Sequence, residues 1–186
     1  HYQGGAFQLN WSATWCLRMA GRTSQKLDGY NWEQLFQVLP LRKLPSAGGK
    51  DIFYYQEWMD HPDYDEYWKN LAIDERYGDI EIPVLQIGGW YDFFAAGTFH
   101  NFVGMKAKGG SEISRNNQRA VVGPWIHRAS SITSAGEVDF GAESVLDLEQ
   151  LELKWFDRWL KGTDNGADNE APLKLFVMGI NQWRDE

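Results

Sequence analysis

Ile82-Pro83-Val84-Leu85-Gln86-Ile87-Gly88-Gly89-Trp90-Tyr91-Asp92 is where this chain changes character. Residues 82–87 form a short β-rich apolar run, the pattern of a strand buried on both faces, and Gly88-Gly89 ends it. Downstream, Arg119-Ala120-Val121-Val122-Gly123 repeats the pattern and runs into Pro124-Trp125-Ile126-His127. Between the two runs, Phe99, Phe102, Val103 and Lys106 recur at helical spacing. They predict a helix from about Ala95 to Lys108, with Gly109-Gly110 as its stop and a polar loop after it. Strand, helix, strand is a βαβ unit, so the two strands are expected to be parallel, with a right-handed crossover.

Upstream of this unit the texture is helical. Phe7, Trp11 and Trp15 recur every four residues, and Leu17 and Met19 continue the apolar surface until Ala20-Gly21. Asn31 with Gln34 reads as a cap leading into Leu35, Phe36, Val38 and Leu39. Asp51 is expected to cap a helix carrying Phe53, Tyr54, Trp58 and Met59, and Asp63 with Glu66 a short one carrying Tyr67 and Trp68. Several short aromatic helices without strand alternation suggest a helical cap or bundle.

Beyond the unit, a Ser/Gly-rich loop at 128–141 precedes the strongest helical pattern in the chain. Ser144 is expected as its N-cap with Asp147 at the third position, Leu148, Leu151, Trp155 and Trp159 as its apolar surface, and Gly162 as its stop. A polar linker spans 163–172. Leu173-Lys174-Leu175-Phe176-Val177-Met178-Gly179 then reads as one strand with nothing left to pair with, the opening of a further sheet.

Composition narrows the function classes. With 18 Lys+Arg against 26 Asp+Glu in 186 residues, the net charge is −8, and no basic footprint for nucleic acid is expected. No run approaches the ~20 apolar residues of a membrane helix, so a soluble protein is expected, cytoplasmic or secreted. One cysteine, Cys16, leaves no internal disulfide and no Cys-based zinc site. His61 among Asp60, Asp63, Asp65 and Glu66 reads as capping and a solvated acidic face rather than a metal site, and no cofactor is expected. The aromatic content, 15% with 10 Trp, fits either a ring-filled core, an acyl pocket, or the stacking platforms of a non-catalytic binding module.

Open parallel sheets gather their chemistry in the loops leaving the carboxyl ends of strands. Here one such loop carries Asp92 and the next carries His127. An acid followed by an imidazole on successive strand ends is the order of the last two members of an α/β-hydrolase triad. The acid would accept the Nδ1–H proton and fix the tautomer, and Nε2 would take the proton of a serine.

At these residues a resemblance emerges. Gly89-Trp90-Tyr91-Asp92 and Gly123-Pro124-Trp125-Ile126-His127 resemble the acid and base motifs of the cocaine esterase-like acyl hydrolases. That group includes cephalosporin acylases and is related to X-Pro dipeptidyl-peptidases of the serine type. Asp60-His61-Pro62-Asp63-Tyr64-Asp65-Glu66-Tyr67-Trp68 resembles the family's cap segment, and Phe156-Asp157-Arg158-Trp159-Leu160-Lys161-Gly162 its last hydrolase helix. Residues 176–186 resemble the opening of its C-terminal jelly-roll.

The resemblance implies an α/β chain: a partial α/β-hydrolase fold preceded by a helical cap and followed by the first strand of a β jelly-roll. Its expected parts are a cap at 1–78, the C-terminal part of the hydrolase domain at 79–163, and linker plus jelly-roll start at 164–186. It makes Asp92 the triad acid and His127 the general base, and turns Phe93 and Phe94 toward the acyl pocket, where plain core packing is the competing reading. The substrate implied is a small acyl ester or amide, with an X-Pro dipeptidyl-peptidase activity as the alternative.

The family's Gly-x-Ser-x-Gly elbow is missing. None of Ser12, Ser24, Ser46, Ser111, Ser114, Ser130, Ser131, Ser134 and Ser144 has glycine at both two-residue offsets. The opening His1-Tyr2-Gln3-Gly4-Gly5 reads as mid-pattern. The expectation is therefore a C-terminal-half fragment, inactive alone, whose partner is the missing N-terminal half of the same enzyme or a second copy.

Overall fold

A computed structural model describes residues 1–127 and 131–186, so residues 128–130 of the predicted 128–141 loop, Ser130 among them, lie outside the described residues. The described chain divides into two units, His1–Ala72 and Ile73–Glu186.

In the first unit a small antiparallel pair, β1 (Tyr2–Gln3) and β2 (Ala6–Phe7), precedes α1 (Leu9–Met19). Four short helices follow: α2 (Trp32–Leu35), α3 (Leu44–Ala47), α4 (Phe53–Asp60) and α5 (Glu66–Lys69). Their shared core is Ala13, Cys16, Leu17, Leu35, Leu44, Ile52, Tyr55 and Trp58. Burial pushes the Cys16 thiol up to about 12, and the Tyr55 hydroxyl likewise, because a charge there would lose its water. Asn31 caps α2, its side chain accepting the Gln34 N–H. Two expected caps are corrected. Asp51 caps nothing, since α4 begins at Phe53 behind Ile52, which offers no side-chain acceptor. For α5 the capping carboxylate is Asp65 rather than Asp63, and it accepts the Tyr67 N–H at 3.0 Å.

The second unit holds a four-stranded mixed sheet in the order β3 (Val84–Gly89), β4 (Gln118–Gly123), β7 (Leu173–Val177), β8 (Gln182–Asp185). β3 and β4 are parallel, joined through α6 (Ala95–Lys108) and α7 (Glu112–Asn116). The latter occupies the expected polar loop, with Ser111 as its cap. Every residue of β4 is buried, because a strand lies on each side of it; β3, at the edge, is half-buried along most of its length. A two-residue hairpin, β5 (Ser134–Ala135) with β6 (Val138–Asp139), leads to α8 (Leu148–Lys161). Asp147, not Ser144, caps α8, because Ser144 ends a preceding 3₁₀ turn and spends its hydroxyl on the Gly141 carbonyl. Gly162 closes α8 in the left-handed conformation, φ 72°, which glycine adopts without a Cβ penalty.

The expectation of an unpaired last strand is overturned. β7 lies parallel to β4, with Val121 opposite Lys174, and antiparallel to β8. The 163–172 linker fails to leave the unit because its charges are answered there. Glu170 pairs with Lys154 of α8 and Arg119 of β4, Asp168 pairs with Arg158, and the Ala120 N–H donates to the Pro172 carbonyl.

Candidate active site

At the carboxyl ends of β3 and β4 the two motif loops are joined through their backbones. The Trp90 N–H donates to the Gly123 carbonyl at 2.8 Å, and the Tyr91 N–H to the Trp125 carbonyl at 3.1 Å. This approach requires glycine at both strand ends. A Cβ on Gly89 would lie 2.2 Å from the Trp125 carbonyl oxygen, and one on Gly123 2.3 Å from the Trp125 ring. Neither contact is tolerable, so Gly89 and Gly123 are sites of close approach.

The loops bring Asp92 and His127 together: Asp92 Oδ2 lies 2.9 Å from His127 Nδ1. The other carboxylate oxygen accepts the Phe94 N–H at 2.8 Å, which fixes the carboxylate plane. The Asp92 side chain is 12% exposed and that of His127 42%, so the carboxylate is the more enclosed of the two and the imidazole meets solvent. With Nδ1–H donated to Asp92, the neutral ring presents Nε2 as a proton acceptor, a tautomer inferred from the hydrogen-bond geometry.

Phe93 and Phe94 stand against the same ring, with centroids 5.0 and 5.5 Å from that of His127. Both are about half exposed in this chain. His61 and His100 lie elsewhere in the chain. His61 Nδ1 pairs with Asp65 Oδ2 at 2.6 Å and its ring stacks on Tyr67, while His100 faces Asp74 at 3.4 Å. The hydrogen bond from His61 holds the Asp65 carboxyl below its usual range. Sequence reasoning missed the tryptophans of the two motifs, Trp90 and Trp125; the signal was a Trp following glycine at one strand end and Gly-Pro at the other.

A carboxylate and an imidazole thus meet at adjacent strand ends of an α/β sheet. The chain belongs to the X-Pro dipeptidyl-peptidase (S15) family, whose model matches residues 1–129, a family of serine esterases and peptidases. Among its relatives is the cocaine esterase of Rhodococcus sp. (strain MB1 Bresler), 33% identical over 153 residues, which are 80% of this chain and 25% of that protein. The chain thus spans about a quarter of that relative's length. Two solved structures share its fold over 99% of the chain. An aminopeptidase from a marine sediment Thaumarchaeota archaeon has a TM-score of 0.75 at 18% identity, and an α-amino acid ester hydrolase 0.69 at 19%; the chain covers 31% of each.

Proposed function

We propose that this chain carries the acid and general base of a Ser-His-Asp acyl hydrolase acting on small acyl esters or amides. One observation carries the reading: the 2.9 Å contact between Asp92 and His127 at neighbouring strand ends, with the His127 side chain partly exposed. Asp92 holds the Nδ1–H tautomer and stabilises the imidazolium; His127 Nε2 takes the serine proton and returns it to the leaving group. The exposed rings of Phe93 and Phe94 form an apolar wall beside the base and favour an acyl ester over a charged peptide amino terminus. X-Pro dipeptidyl-peptidase activity is the alternative, supported by the family match itself. A stacking module fits less well, since among the described residues Trp15, at 40%, is the sole substantially exposed tryptophan.

In this reading residues 1–78 are the cap and 79–163 belong to the hydrolase core. The family's jelly-roll joins that core through 164–186, whose strands extend the core sheet. The nucleophile and oxyanion donors come from the N-terminal half of the same enzyme. The edge strand β3 and the exposed stripe Leu153, Phe156 and Leu160 on α8 suit such a partner.

The 186-residue chain is expected to hydrolyse p-nitrophenyl esters no faster than buffer. In the full-length enzyme, His127→Ala should lower kcat by on the order of 10⁶-fold and Asp92→Asn by roughly 10⁴-fold, as triad members do elsewhere. Unchanged kinetics in both variants would end the assignment.

A further inference from the structure

The strand pair β7–β8 lies beside the two motif loops and is tied to them by indole hydrogen bonds. Trp90, two residues before Asp92, donates its Nε1–H to the Phe176 carbonyl of β7 at 2.8 Å. Trp125, two residues before His127, donates its own to the Ser144 carbonyl at 2.9 Å. Trp183 of β8 donates to the neighbouring Glu143 carbonyl at 2.8 Å. Both acceptors belong to one fixed turn, held by the Ser144 and Gly141 N–H bonds to the Gly141 carbonyl and the Asp139 carboxylate.

Rings close the frame. Tyr91 contacts Phe140, Phe140 contacts Phe176, Phe176 contacts Trp183, and Trp183 contacts Trp125, with centroid separations between 5.4 and 6.1 Å. An unbroken run of aromatic contacts therefore leads from the residue before Asp92, through β7 and β8, to the residue two before His127. Phe140 and Phe176 are buried in the small core that Trp183 covers.

We propose that Trp90, Trp125 and Trp183 are positioning residues, and that the β7–β8 pair sets the alignment of Asp92 with His127 through them. The inference rests on the reading of those two residues as acid and base. All three indoles spend their N–H on backbone carbonyls, so each is taken to act through backbone. A strand pair with no reacting group thereby decides whether the base presents Nε2. Alignment is where catalysis is sensitive: a misplacement of about 1 Å costs on the order of 10²-fold in rate.

The test substitutes each indole by a ring without a donor, as Trp90→Phe, Trp125→Phe and Trp183→Phe, and reads the neutral His127 tautomer by ¹⁵N NMR in the full 186-residue chain. Wild type should carry its proton on Nδ1. Trp90→Phe and Trp125→Phe should each shift population to Nε2–H, with circular dichroism unchanged, and Trp183→Phe should do so to a smaller extent. In the full-length enzyme the first two should lower kcat by roughly 10²-fold with KM nearly constant. A wild-type tautomer in all three variants overturns the proposal, whatever happens to their melting temperatures. Should Trp125→Phe not fold, the less buried Trp90 and Trp183 decide by the same criterion. Wild type already protonated on Nε2 would overturn the acid–base reading instead.

Discussion

Residues 1–72 and 73–186 bury their surfaces by different means. The first unit interleaves rings and aliphatic chains of five short helices, with Leu17, Leu44 and Tyr55 fully enclosed and no long ladder beneath them. The second centres on one strand, β4, whose hydrogen-bonded neighbours on both sides leave no residue of it exposed. A ring-packed unit tolerates local adjustment but depends on volume. A ladder fixes register to the residue, and register is what aims two side chains from adjacent strand ends at each other. That is why Asp92 and His127 issue from the sheet.

Substitutions can break this contrast. Leu17→Ala in the first unit should cost about 2–5 kcal/mol through the cavity left in a fully buried site, read by denaturant unfolding. Gly123→Ala in the second should cost roughly 1–3 kcal/mol, because the new Cβ meets the Trp125 ring, and it should also disturb His127, which Leu17→Ala should not. Asn31→Ala should remove about 1 kcal/mol with its cap on α2, whereas Asp51→Ala should change stability by less than ~0.5 kcal/mol, since Asp51 caps no helix. Smallest is a pH effect. Because the folded Asp65 carboxyl is held below its ordinary value of 3.8, its contribution is present above that value and fades as pH falls through the folded pKa. Asp65→Asn should abolish that acid-side slope in a pH series of melting curves. Cys16 offers a check on closure of the first unit: with its thiol pushed up to about 12, it should resist iodoacetamide at neutral pH until that unit opens.

Much of the second unit was legible because its signals are local. The strand runs at 82–87 and 119–123, the helix over Ala95–Lys108 and the Gly162 stop are each written in adjacent residues. Caps were less legible, because Asp51, Asp63 and Ser144 are as good as their neighbours chemically and only backbone geometry selects Asp65 and Asp147. The place of β7 was not legible at all. Its partner β4 is some 50 residues away, and the charged linker that returns the chain looks in sequence like any exit from a domain. At the site the meeting of Asp92 and His127 could be read from strand-end glycines. The indole frame could not, since Trp90, Trp125 and Trp183 all donate to backbone carbonyls that carry no sequence signature.

The central claim is that Asp92 dictates which nitrogen of His127 carries the proton. The direct measurement compares the ¹⁵N spectrum of the neutral His127 ring in wild type and in Asp92→Ala. The account predicts a proton on Nδ1 in wild type that moves to Nε2 when the carboxylate is removed. The same tautomer in both proteins would contradict it.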